Sequence, residues 1–285
     1  MSPTDLAAEI APIDARLAEL LPPETDRPER LHAAMRYSAL APGKRIRPIM
    51  ARYAAVAVGG RPDDALDAGC ALELVHAFSL IHDDLPAIDN DDLRRGRPTC
   101  HVAFGENVAI LAGDALFALA FQVVVATPHG GAQATDLAQA ASGLVRGETL
   151  DVLSEGQPID AATLEFIHRH KTAALFRASG RMGARAGGGT DTEIARLGEY
   201  GECVGLAFQI ADDVLNVVGD EQALGKAVGS DAERQKATYP GLYGLDSARE
   251  QALEMVERAL STLDGLPGET LALRELARYA VRRMN

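Results

Sequence analysis

Five aspartates, Asp83, Asp84, Asp89, Asp91 and Asp92, crowd into one short stretch and are followed at once by Arg94 and Arg95. Upstream, His76, Ser79 and Asp83 stand at i, i+3 and i+7, so a helix carries them on one face. Pro86 lacks an N–H and its ring clashes with the preceding turn, so it ends that helix and Asp89 returns on a loop. Carboxylates held on a helix end and its adjoining loop are oxygen ligands for a hard cation, and neighbouring guanidiniums suit a phosphate. Taken alone, the same run also reads as a solvated acidic turn.

A second stretch changes that balance. In VGLAFQIADDVLNVVGD, residues 204–220, nearly every position is apolar except Gln209, Asp212, Asp213 and Asn216. Those positions are i, i+3, i+4 and i+7, one narrow polar stripe on an otherwise apolar helix. Such a helix is buried, and its stripe must face something polar, because unpaired buried carboxylates are too costly to leave alone. An internal ion pair with Lys or Arg meets that demand as well as a cation does. Two such sites, both acidic and both on apolar helices, favour metal.

Several ordered blocks resemble the short-chain polyprenyl diphosphate synthases. DDLPAID (83–89) looks like their first aspartate-rich motif and DDVLN (212–216) like their second; GKRIRP (43–48), LRRGRPT (93–99), HRHKTAALF (168–176), FQ (208–209) and GKAVGSDAERQKATYP (225–240) match further motifs. The similarity runs from about residue 30 to the C-terminus, and the nearest relatives are expected among bacterial farnesyl diphosphate synthases. What it implies is an all-α, single-domain isoprenoid synthase bundle over residues 1–285, of about ten or more helices around a central cavity.

The resemblance also assigns roles. Lys44, Arg47, His76 and Arg95 match positions that hold isopentenyl diphosphate; Arg94, Lys171 and Lys226 match those that hold an allylic diphosphate, and Lys236 completes the basic set. Asp83, Asp84, Asp89, Asp212, Asp213 and Asn216 are the implied metal shell, for Mg2+ (about three ions, with Mn2+ as a substitute). The implied reaction is head-to-tail prenyl transfer with loss of pyrophosphate. An allylic diphosphate ionises when its leaving group is neutralised, here by metal with Arg94, Lys171 and Lys226. Lys171, Thr172 and Gln209 form the implied catalytic group, the oxygens of Thr172 and Gln209 facing the allylic cation while the isopentenyl double bond attacks. Departing pyrophosphate serves as the base.

Phe78 lies five residues before Asp83, about 7.5 Å down the helix at 1.5 Å per residue. By resemblance an aromatic there accompanies a farnesyl product, whereas the wheel puts the small Ser79, not Phe78, on the Asp83 face; core packing is the plain alternative for Phe78. Farnesyl diphosphate is the expected product, with geranylgeranyl diphosphate the alternative. This chain departs from the family pattern at Asn216, which replaces a third aspartate, at Pro42, Ala173 and Ala211, and at Glu148, which stands where a glutamine is usual beside Asp151. A class I terpene cyclase would lack a second diphosphate site, against which Lys44, Arg47 and Arg95 count. A non-catalytic partner subunit usually loses an aspartate motif, and only Asn216 points that way.

The elements that must position these groups are helical. Apolar-periodic segments are expected near 4–21, 27–40, 46–58, 64–84, 101–126, 133–153, 160–187, 191–219, 231–243, 246–264 and 269–283. They are separated by breakers such as Pro22-Pro23, Pro42-Gly43, Gly59-Gly60 and Gly187-Gly188-Gly189, none long enough for an interdomain linker. Hydrophobic residues make up 47% of the chain, ample for a core, and a net charge of −13 argues against nucleic acid or an anionic membrane surface as main partner. Cys70, Cys100 and Cys203 are widely spaced and read as small buried hydrophobes in a reducing cytosol. The N-terminus lacks the basic start of a signal peptide. The most apolar stretch, 102–127, is interrupted by Glu106, Asp114 and Gln122, so a long buried helix rather than a membrane span is expected there. By resemblance it belongs to a homodimer interface. A cytoplasmic homodimer without stable membrane insertion is the expectation.

Overall fold

Proline and glycine breakers divide the N-terminal third into α1 (Pro3–Leu20), α2 (Glu29–Ala39) and α3 (Ile46–Ala57). The computed structural model describes residues 3–219, 236–282 and 284. A short 3-10 turn, Pro62–Ala65, leads into α4 (Leu66–Asp83), which stops ahead of Pro86. An antiparallel hairpin follows, β1 (Leu93–Arg94) against β2 (Arg97–Pro98), with Arg94 opposite Arg97. Two-residue strands are too short to show an alternating pattern in sequence.

The single helix expected over 101–126 is two, α5 (Cys100–Phe104) and α6 (Glu106–Val125), because Gly105 sits at φ 90° in a conformation other residues rarely adopt. Next come α7 (Gly130–Leu153) and α8 (Ala161–Ile167). The helix expected over 160–187 is also interrupted: a π turn, His168–Ala173, separates α8 from α9 (Ala174–Ala186). α10 (Asp191–Val218) opens on a capping box in which the Glu193 carboxylate accepts from the Thr190 N–H at 2.7 Å, and it ends at Gly219 in the left-handed conformation. The described C-terminal part holds α11 (Tyr239–Tyr243), α12 (Leu245–Thr262) and α13 (Leu271–Arg282). Of the helix expected over 231–243, residues 231–235 lie outside the described residues, and the described remainder is helical only from Tyr239 to Tyr243.

Two apolar cores hold these helices together. One gathers Leu17, Ile49, Leu72, Leu116 and Leu137 from α1, α3, α4, α6 and α7; the other gathers Met50, Phe176, Tyr200, Val204, Val256 and Leu276 from α3, α9, α10, α12 and α13. Because α3 and α9 contribute to both, the cores are continuous and the architecture is a single all-α bundle. α10 is buried along most of its length, as an apolar helix with one polar stripe requires.

α6 corrects an expectation. Pro62–Asp83 and Glu106–Val125 are both long and apolar enough to cross a membrane, and the first is mostly enclosed by protein. On α6, however, Ile110, Leu111 and Val125 are exposed, as are Val145 and Leu153 of α7. The helix is buried along one side only, and its apolar residues are distributed round the whole circumference.

Candidate active site

The acidic and basic groups close into a ring. Lys171, in the π turn, donates to Asp151 of α7 at 2.6 Å, and its Nζ lies 2.7 Å from Glu148 Oε2. The next residue, Thr172, donates its hydroxyl to Gln209 Oε1 of α10 at 2.7 Å. Gln209 is one turn from Asp212, whose charge reaches Arg47 at the start of α3. Arg47 and Arg95 both act electrostatically on His76 of α4, and two turns further along α4 stands Asp83, in the field of Lys171. Charged and polar groups of α3, α4, α7, the π turn and α10 are therefore linked to one another by contact or by electrostatic influence.

Close helix contacts set the position of Lys171 and Thr172. A Cβ added at Gly147 of α7 would stand 2.2 Å from the Lys171 backbone nitrogen, and one at Gly205 of α10 would stand 2.7 Å from Ala173 Cα. Glycine on each side lets α7 and α10 close on the π turn, where an extra residue per turn redirects the side chains.

On the acidic side, burial and then the neighbouring Glu148 push the Asp83 carboxyl up to about 8. Burial disfavours the charge of Lys171, but Asp151, Glu148 and Asp83 outweigh it and hold the ammonium above the ordinary lysine range. Lys236 donates to Asp89 at 2.9 Å and to Asp151 at 3.3 Å, which ties the loop after α4 to α7. Two ammonium groups thus stand among Asp83, Asp89, Glu148 and Asp151.

The basic side is desolvated. Burial lowers Arg47 to about 10, still cationic at neutral pH, and its guanidinium lies 4.7 Å from the Phe176 ring. Burial and then Arg47, Arg95 and Arg94 push His76 well below its ordinary value, so its imidazole is neutral. Lys44 extends over the Tyr279 ring of α13, 5.8 Å from its centroid. Arg95 adopts φ 54° and donates to the Pro42 carbonyl, so that the 42–45 loop and the β-hairpin are joined.

Arg45 holds that loop from behind. Its backbone is left-handed at φ 48°, and its buried guanidinium donates to Asp14 at 2.8 Å, Glu73 at 2.8 Å and the Ala41 carbonyl at 2.9 Å. Arg45→Ala leaves the Glu73 carboxylate buried without this cation, and we expect a loss of about 3–5 kcal/mol in denaturant titration. Adding Glu73→Gln in the same chain should recover part of it.

The first and last of these groups lie far apart in sequence, and the chain matches a family model described as Polyprenyl synthetase over residues 28–265. The chain belongs to the polyprenyl synthetase family. It is 46% identical over 272 residues to the heterodimeric geranylgeranyl pyrophosphate synthase large subunit 1 of Arabidopsis thaliana, covering 90% of this chain and 73% of that protein. A geranylgeranyl pyrophosphate synthetase from Pyrococcus horikoshii superposes with a TM-score of 0.90 at 33% identity, over 98% of each chain. An FPP/GFPP synthase from Zymomonas mobilis does so with a TM-score of 0.86 at 38% identity, again over 98% of each. The expected kinship with farnesyl enzymes in particular is not what emerges: the relatives are mostly named for geranylgeranyl products. The family membership makes the chain a prenyltransferase.

For a polyprenyl synthetase the donor set fits magnesium. All of the acidic groups are carboxylates, the ligands a hard cation takes, and Asp83 is raised by burial first and then by the like charge of Glu148, both of which a divalent ion would offset. Among the described residues no three carboxylate, histidine or cysteine side chains form a ready cage. Mg2+ is commonly held by one or two carboxylates together with substrate phosphates.

Within the expected metal shell the structure separates the members. Asp84 is buried and accepts from Arg94 Nη2 at 2.6 Å and Nε at 2.8 Å, so both are engaged with each other. Asp213 is buried and accepts from Gln209 Nε2 and from the Tyr239 N–H, each at 3.0 Å, with His168 Nε2 3.5 Å away. Asn216 is buried too, whereas Asp212 and Asp83 keep partial access to solvent. Asp84 thus pairs with Arg94, and Asp213 joins Gln209 to the start of α11. Lys226 lies outside the described residues. Glu148 and Asp151, absent from the expected site although they stand three apart on one face of α7, are central to it.

Below Asp83, Ser79 is buried and its hydroxyl donates to the His76 carbonyl at 3.0 Å. Phe78 turns toward α6: its ring centroid is 4.8 Å from that of His82 and 5.0 Å from that of Phe117, which in turn meets Phe121 at 5.1 Å. His82 packs on Gly113, where an added Cβ would stand 2.3 Å from its Nε2.

Proposed function

We propose that this prenyltransferase condenses isopentenyl diphosphate with allylic diphosphates and carries elongation to geranylgeranyl diphosphate. The observation behind the longer product is the floor beneath Asp83: the residue one turn below is Ser79, and the Phe78 ring is braced on Phe117 and His82 instead of filling the Asp83 face. The names of the relatives support the same reading.

In this reading Lys44, Arg47, neutral His76 and Arg95 receive isopentenyl diphosphate, His76 contributing an N–H without added charge. Lys171, Lys236 and Arg94 receive the allylic diphosphate, exchanging their carboxylate partners for phosphate oxygens; Lys226 belongs with them by its motif. Asp83, Asp89 and Asp212 hold Mg2+, which when bound supplies positive charge to the leaving diphosphate. Gln209 is fixed from both ends, accepting from Thr172 at 2.7 Å and donating to Asp213 at 3.0 Å, so its dipole is set before the allylic cation forms. The exposed apolar residues Ile110, Leu111 and Val125 of α6 are the face we assign to a second copy of the chain, in the cytoplasm.

Purified protein with Mg2+, isopentenyl diphosphate and farnesyl diphosphate should give geranylgeranyl diphosphate, identified by mass. Accumulation of farnesyl diphosphate from shorter primers, with no extension of added farnesyl diphosphate, would overturn the product assignment. Pyrophosphate release without isopentenyl diphosphate would indicate a cyclase, and inertness with every primer a non-catalytic subunit.

A further inference from the structure

The oxygen and the NH2 group of the Gln209 amide are close to the same size, so packing alone does not choose between its two orientations. Thr172 does not choose either, because a hydroxyl both donates and accepts; here it donates to Gln209 Oε1 at 2.7 Å. The choice falls to Asp213. Its carboxylate offers acceptor oxygens only, and Gln209 Nε2 donates to Oδ1 at 3.0 Å. The other oxygen, Oδ2, accepts from the Tyr239 backbone N–H at 3.0 Å, a donor that cannot be turned round. His168 Nε2 lies 3.5 Å from the same Oδ2, and its ring stacks on that of Tyr239 with centroids 5.1 Å apart. Asp213 and Thr172 are both buried. The Gln209 oxygen therefore lies on the side of the π turn, beside Lys171, and its NH2 group on the side of α11.

An allylic cation is stabilised by the negative end of an amide dipole and repelled by the positive end, so this orientation decides the sign of what Gln209 contributes. We infer that Asp213 is a positioning residue that keeps the Gln209 oxygen, and not its NH2 group, directed toward the developing allylic cation. The inference rests on the prenyl-transfer reading above and gives Asp213 a task apart from metal. In Asp213→Asn the fixed Tyr239 N–H claims the one amide oxygen, so the asparagine NH2 meets Gln209. Gln209 must then turn its oxygen toward the asparagine and its own NH2 group toward Thr172. Adding Gln209→Glu supplies oxygen at both ends, accepting from Thr172 and from the asparagine at once, and restores the net charge.

The test compares Asp213→Asn with the exchanged pair Gln209→Glu/Asp213→Asn in the full chain with Mg2+. With isopentenyl diphosphate and geranyl diphosphate, Asp213→Asn should lower kcat about 10²-fold and leave KM little changed. A second readout needs no turnover: calorimetry with a prenyl amine, in which a protonated nitrogen replaces the cationic carbon, in the presence of inorganic pyrophosphate. Asp213→Asn should weaken the amine by about the same factor while binding of geranyl diphosphate is unchanged. The exchanged pair should regain most of both losses, and circular dichroism shows whether each variant keeps its helices. Should Asp213→Asn not fold, the exchanged pair still decides, because the inference requires it to keep kcat near that of the unmodified protein. Unchanged kcat in folded Asp213→Asn would overturn the inference. So would equal weakening of the amine and of geranyl diphosphate, or no recovery in the exchanged pair. If the unmodified protein binds neither the amine nor geranyl diphosphate, the diphosphate reading fails and the inference with it, an outcome separate from the others.

Discussion

Asp83→Asn should lower kcat by about 10²–10³-fold or more, since it removes one carboxylate from the proposed metal shell, at the point where charge would develop on the leaving group. The same substitution should stabilise the ligand-free protein. Burial, and then Glu148, raise Asp83 from 3.8 to about 8. Below the unfolded value both states hold the proton and the group is neutral in each. As pH rises from about 4 toward about 8, the unfolded chain ionises while the native state keeps its proton, so native stability falls through that window. Asparagine has no proton to lose. Scanning calorimetry should therefore show the variant melting above the unmodified protein at pH 7–8, with the two converging near pH 4. A variant that melts lower at pH 8 would mean that the ionised Asp83 carboxylate stabilises the fold. Loss of activity joined to gain of stability is the pattern of a site whose like charges are held together for binding.

Ser79→Phe should shift the main product from the proposed geranylgeranyl diphosphate to farnesyl diphosphate. Ser79 lies one turn before Asp83, about 6 Å along the helix, and its buried hydroxyl bonds only locally, to the His76 carbonyl at 3.0 Å. A ring at that point occupies the depth that the last added isoprene unit requires. Phe78→Ala acts in the opposite sense: it removes the partner of Phe117 and His82 and should extend elongation beyond geranylgeranyl diphosphate. Chromatography and mass of the dephosphorylated products read both. If Ser79→Phe left chain length unchanged while total activity persisted, the channel would not run beneath Asp83, and the floor would have to be sought elsewhere.

Much of this was legible in the sequence because apolar periodicity interrupted by carboxylates is unusual. The end of α4 followed from Pro86, and the burial of α10 followed from its narrow polar stripe. What was not legible depended on neighbours. Asp83 and Asp84 are about 100° apart on the helix, and the chain alone cannot say which faces the shared space; the Arg94 guanidinium decides it by engaging Asp84. HRHKTAALF reads as uninterrupted helix, and its π turn accompanies the close contacts of Gly147 and Gly205 from α7 and α10. α6 is apolar round its circumference, a pattern shared by a core helix and by an interface helix, so the exposure of Ile110 and Leu111 was not readable from the sequence. Lys236 could be placed among phosphate ligands by motif, but its bonds to Asp89 and Asp151 are long-range and carry no local signature.

Anomalous scattering at the manganese edge, from crystals grown with Mn2+ and pyrophosphate, measures the cooperation of the two acidic helices directly. Mn2+ ions bridging the diphosphate to Asp83 of α4 and to Asp212 of α10 within one cavity are the result expected. Mn2+ bound at one helix alone, with Asp212 turned away from the diphosphate, would contradict a shared metal clamp.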